Sequence, residues 1–173
     1  HASVHEPLIY LESMGFQVEY LPVDKQGHLR AETLKEALTE DTILVSVMMV
    51  NNEIGSVLDV QELAKVVKDF DPQIVFHVDA IQAYGKMKIQ PAKWQIDLMS
   101  VSGHKIHGPK GTGFLYMKEG TKIHPYIHGG GQQQGMRSGT ENVPGIAGLG
   151  LAAAKMDASL TERREYLYGL KRY

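Results

Sequence analysis

Residues 42–78 read TILVSVMMVNNEIGSVLDVQELAKVVKDFDPQIVFHV. The first part, TILVSVMMV, is an unbroken apolar run of strand length, the signature of a strand covered on both faces. Asp59 followed by Glu62 is a helix-start signal with Asp at the cap, and Leu63, Val66, Val67 and Phe70 then repeat at helical spacing. Residues 74–78 are β-rich again. Strand, helix and strand in this order predict two parallel strands joined by a crossover helix, a connection that is right-handed almost without exception.

Working outward, residues 96–101 and 113–117 supply two further strand-like runs. Upstream, Leu34, Ala37 and Leu38 share one helical face in residues 31–38, after a turn at Gln26-Gly27. Phe16, Val18 and Tyr20 alternate with Gln17 and Glu19, which predicts a half-buried edge strand over residues 16–23. Residues 6–13 read as a short helix stopped by Gly15. Downstream, a helix is expected from Val143 onward and a more charged one over residues 161–173. No repeat or linker interrupts the pattern. Residues 1–173 therefore read as a single domain of the α/β class, with a central, mainly parallel sheet sandwiched by helices.

Composition excludes several function classes. The chain is 43% apolar and 22% charged, figures of a folded globular protein and not of a disordered one. Lys plus Arg number 18 against 20 Asp plus Glu, a formal charge of −2, so no direct nucleic-acid partner and no attraction to anionic lipid are expected. No apolar run approaches the ~20 residues that cross a bilayer, and the first residues lack the pattern of a signal peptide. The cytoplasm is the expected location. With no cysteine, the chain holds no disulfide, thiolate metal site or nucleophilic thiol.

The polar clusters carry the functional information, because each falls just past a buried strand: Asn51-Asn52-Glu53, then Asp79 with Gln82, then Ser102-Gly103-His104-Lys105. Loops are polar in general, so a single such cluster means little. Three in succession place polar groups along the one crevice where open parallel sheets bind ligands. Asp79 follows an apolar strand, so its carboxylate is expected to be partly buried and to need a cation, a role that a protonated ring nitrogen fills. Lys105 sits in a turn stiffened by Gly108 and Pro109, where an activated lysine can form a Schiff base with a carbonyl. Ser102, His104 and the backbone amides of this turn can donate to an anion.

Four segments, VNNEIG (50–55), HVDAIQAYGK (77–86), DLMSVSGHKIHGPKGTGFLY (97–116) and HGGGQQQGMRSGTEN (128–142), resemble those of the class V aminotransferase group and, within it, the cysteine desulfurases. The resemblance covers almost the whole chain. It implies a fold-type I enzyme whose cofactor is pyridoxal 5′-phosphate, and it makes residues 1–173 the central part of the large domain, with both family ends outside them. By resemblance, Lys105 is the Schiff-base lysine and a catalytic residue, Asp79 the partner of the pyridinium nitrogen, and Gln82 a donor to the ring hydroxyl. Ser102 and His104 become phosphate ligands, and Asn52 contacts the cofactor hydroxyl and the substrate carboxylate side. Thr140 resembles the threonine that reaches the phosphate of the other subunit in a homodimer. His1, a second catalytic residue by resemblance, matches the histidine that stacks on the pyridine ring.

The implied activity converts L-cysteine to L-alanine and passes sulfur as a persulfide to a sulfur-acceptor protein, for iron–sulfur cluster assembly or tRNA thiolation. The receiving enzyme cysteine lies outside this chain in the family, so the 173-residue chain alone is expected to be inactive. Selenocysteine lyase, other class V activities and a catalytically dead interaction module are the alternatives. Metal binding is not expected: His124 and His128 stand four apart, but Pro125 and Gly129 argue against the helix that would pair them.

Overall fold

The structure is a computed structural model and describes residues 1–172. Its regular elements run α1 (Ala2–Ser13), α2 (Ala31–Ala37), β1 (Leu44–Met48), α3 (Val60–Phe70), β2 (Val75–Asp79), β3 (Leu98–Ser102), β4 (Gly113–Met117), α4 (Val143–Ala158) and α5 (Leu160–Lys171). The four strands lie side by side in chain order. β1, β2 and β3 are mutually parallel, and β4 returns antiparallel along β3. The mainly parallel sheet and its flanking helices are those expected from the sequence. Among the described residues no helix is long and apolar enough to cross a membrane.

Period-two alternation gives the sheet two different faces. Val47, Phe76, Val78, Met99 and Val101 share one face and are buried with Val60, Leu63, Ala64 and Val67 of α3 and with Leu34 of α2. The other face carries Ser46, His77, Asp79, Ser100 and Ser102. One layer of helix thus buries the apolar side, while on the other side Asp79 is buried and Ser46, His77, Ser100 and Ser102 are half-buried. α3 begins where expected, with the Asp59 carboxylate accepting the Glu62 amide at 3.0 Å.

Two expectations change. Residues 16–23 form no strand, since their backbone finds no ladder partner among the described residues and Phe16, Tyr20 and Val23 stay about half exposed. Alternation suits a chain to pairing, and it takes a neighbouring strand to make the ladder. α1 begins earlier than expected, at Ala2, because the His1 Nδ1 accepts the Ser3 amide at 3.1 Å and caps it, while Pro7 is tolerated inside the helix. Tyr173, the last residue of the expected C-terminal helix, lies outside the described residues.

Candidate active site

Because β1, β2 and β3 are parallel, their C-terminal ends open on one edge of the sheet, and the three polar clusters follow those ends. Asp79 closes β2 and is only 3% exposed. The Ile81 amide donates to its Oδ1 at 3.0 Å, and among the described residues no cationic side chain pairs with it. A buried carboxylate served by one amide and no internal cation suits a positively charged ligand. Gln82 follows, half-buried, and its carbonyl accepts a hydrogen bond from Lys86 Nζ at 3.0 Å. Desolvation, and after it the Lys105 charge, hold the Lys86 amine below the ordinary lysine range, so the two amines lie within each other's field.

β3 delivers Ser102 and then a single 3-10 turn, Gly103–Ile106. Ser102 Oγ and His104 Nδ1 are hydrogen-bonded at 2.8 Å. The turn is fixed from behind. Ile106 is buried against Leu149 and Met156 of α4, while His104 and Lys105 remain exposed. Gly103 donates to the Thr112 carbonyl at 2.9 Å and Gly108 donates to the Gly103 carbonyl at 2.9 Å, closing the loop on itself. A Cβ at Gly103 would stand 2.6 Å from Thr112 Oγ1 and 3.0 Å from Leu149 Cδ1, so glycine is required for α4 and the loop to approach this closely.

Past β1, Asn51 takes the local structural role, its Oδ1 accepting the amides of Glu53 at 2.8 Å and Ile54 at 3.0 Å. The adjacent Asn52 is exposed and donates to Glu53 Oε1 at 2.6 Å. Thr140 is exposed in the segment before α4, and His1 is exposed as the cap of α1. Neither is hydrogen-bonded to the strand-end residues.

The sequence reading did not single out a hydrogen-bonded row across the polar face. His77 on β2 contacts Ser46 Oγ of β1 through Nδ1 at 2.8 Å and Ser100 Oγ of β3 through Nε2 at 2.9 Å. Its signal is one polar residue at the middle of each of three largely apolar strands.

Comparison with known proteins adds a family. The model for class-V aminotransferases matches residues 1–168. The chain belongs to the class-V aminotransferase family. Members of this family are pyridoxal phosphate enzymes. A cysteine desulfurase IscS of Dictyoglomus turgidum is 49% identical over 173 residues, covering 96% of this chain and 43% of that protein. Among solved structures, a NifS-like protein superposes with a TM-score of 0.91 at 42% identity, covering 99% of this chain and 49% of its own. A structure described as SspA in complex with cysteine gives a TM-score of 0.86 at 40% identity, over 89% of this chain and 44% of the other. The chain thus spans less than half the length of each of these three proteins.

The residues present fit the family's cofactor by their own chemistry: a buried carboxylate without an internal cation, an exposed lysine on a fixed turn, and a serine, a histidine and turn amides able to face a phosphate.

Proposed function

We propose that the protein carrying this chain is a cysteine desulfurase, converting L-cysteine to L-alanine and handing on the sulfur as a persulfide. The observation that carries the reading is the convergence of buried Asp79 and the Lys105 turn at one edge of the sheet, in a chain 49% identical to a cysteine desulfurase. Pyridoxal phosphate, when bound, supplies an electron sink for the substrate carbons. Everything else falls to this chain's side chains. Asp79 holds a proton on a ring nitrogen by charge, at a site from which burial excludes most water. Lys105 Nζ would hold the cofactor at its carbonyl carbon and would hold and move a proton at the reacting substrate carbon. Ser102, His104 and the amides of the 3-10 turn bind the phosphate. Gln82 and Asn52 orient the ring hydroxyl and the substrate carboxylate, and His1 stacks on the ring.

The same reading makes residues 1–173 the central part of a large cofactor domain, and makes the protein a cytoplasmic homodimer in which Thr140 of one subunit serves the phosphate of the other. A sulfur-acceptor protein then carries sulfur toward iron–sulfur clusters or thiolated tRNA.

The test is spectroscopic. Purified with pyridoxal phosphate, the protein is expected to be yellow, to shift its visible absorbance on addition of L-cysteine, and to release alanine. A colourless protein, or one whose spectrum ignores cysteine, sinks the reading.

A further inference from the structure

Asp79 is left without an internal counter-ion although a basic side chain stands two residues away on the same face of β2. That side chain is His77, and the structure does not turn it toward Asp79. Its two ring nitrogens are both taken, Nδ1 by Ser46 Oγ at 2.8 Å and Nε2 by Ser100 Oγ at 2.9 Å. No carboxylate lies within ion-pair distance of it among the described residues.

We propose that His77 is a positioning residue, held as a neutral imidazole between Ser46 and Ser100 so that the Asp79 carboxylate stays free for a cationic ring nitrogen. The proposal rests on the cofactor reading given above.

Serine hydroxyls suit this task because each can donate or accept, so the pair satisfies either neutral tautomer without a charged partner. A carboxylate in either place would draw a second proton onto the ring. The strands flanking His77, LVSVM in β1 and LMSVS in β3, contain no titratable side chain, and among the described residues Asp79 on its own strand is the one charge that bears on it. Burial lowers its proton affinity below the usual histidine range and outweighs the opposing pull of Asp79. Were His77 charged, it would compensate Asp79 from within the sheet and repel a protonated pyridine ring beyond it.

Two measurements test this. The first is the ring 15N chemical shift of His77 in the unmodified protein from pH 5.5 to pH 7.5. Shifts of a neutral imidazole are expected to persist to below pH 6.5, the ordinary histidine midpoint, and predominantly imidazolium shifts at pH 6.5 or above overturn the proposal. The second is the preference for pyridoxal phosphate over its 1-deaza analogue, in which ring nitrogen is replaced by CH, read by absorbance titration. His77→Gln, neutral and able to bond a serine, is expected to keep the wild-type preference within about threefold, whereas His77→Arg loses about tenfold or more of it. An arginine variant with undiminished preference overturns the proposal, as does a glutamine variant that loses as much. If His77→Arg does not fold, the nitrogen shifts decide. Failure of the reading beneath it is distinct, since the unmodified protein would then show no preference between the two ligands.

Discussion

Lys68, near the end of α3, reaches Asp97 just ahead of β3 in an almost fully buried ion pair, Nζ to Oδ2 at 2.5 Å, with side chains 6% and 8% exposed. The ammonium also donates to the carbonyls of Ile74 at 2.5 Å and Pro72 at 3.2 Å, and the Phe76 amide donates to the same Asp97 oxygen at 2.8 Å. Lys118 approaches the other oxygen at 3.4 Å. The cluster ties the helix to the entry of two parallel strands, at the end of the sheet opposite the polar clusters.

Removing one partner leaves the other charged and buried. Lys68→Met and Asp97→Asn are each expected to cost about 3–5 kcal/mol in urea unfolding, against less than ~1 kcal/mol for the exposed Lys65→Met. A loss at Lys68 as small as that at Lys65 would contradict the buried pair.

The same carboxylate sets an acid limit. Burial pushes the Asp97 carboxyl up, but the hydrogen bonds from Lys68 and Phe76 and the Lys68 and Lys118 charges outweigh it and hold the group below the usual aspartate range. Its folded pKa lies under its unfolded value, so its contribution is full above about pH 4 and is lost as pH falls through the folded value. Unfolding free energy followed from pH 7 to pH 3 should therefore drop less steeply below about pH 4 in Asp97→Asn than in the unmodified protein.

Lys105 is expected to be the lysine that borohydride reduction joins permanently to pyridoxal phosphate. Peptide mass mapping after reduction reads the position directly, and label on Lys86, its electrostatic neighbour, would reassign the role.

Asp79→Asn should lower turnover with cysteine by about tenfold or more while changing cofactor affinity much less, because an amide cannot hold the ring proton by charge. Parallel measurement of kcat and of the cofactor Kd separates the two effects.

The 173-residue chain by itself is expected to release no alanine at the rate of the longer protein, since it holds no cysteine to receive sulfur. In that longer protein, mixing Thr140→Ala with Lys105→Ala subunits should restore part of the activity through heterodimers carrying one intact site. Heterodimers shown to form yet wholly inactive would rule out a shared site.

The sequence was most legible where burial is two-sided. Residues 42–50, 74–78 and 96–101 announce their strands because an apolar run of that length has few other uses, and Asp79, Ser102 and Lys105 are conspicuous directly after them. Residues 16–23 were misleading because alternation reports a capacity for pairing while the partner strand is a matter of tertiary structure. Likewise the Ser46–His77–Ser100 row is not legible in the sequence, since its members come from three separate strands and only the register of the sheet brings them together.

Each strand of this sheet pairs with the next one along the chain. Such a sheet can be laid down from one side during synthesis, β2 docking on β1 before β3 exists and β4 closing the open edge of β3 last. Asp79 is therefore in place before the lysine turn, whose backing by Leu149 and Met156 has to await α4. A nascent polypeptide halted before α4 would own the carboxylate and the lysine yet lack the wedge that fixes the turn, so any chemistry that needs both becomes available only late in biosynthesis.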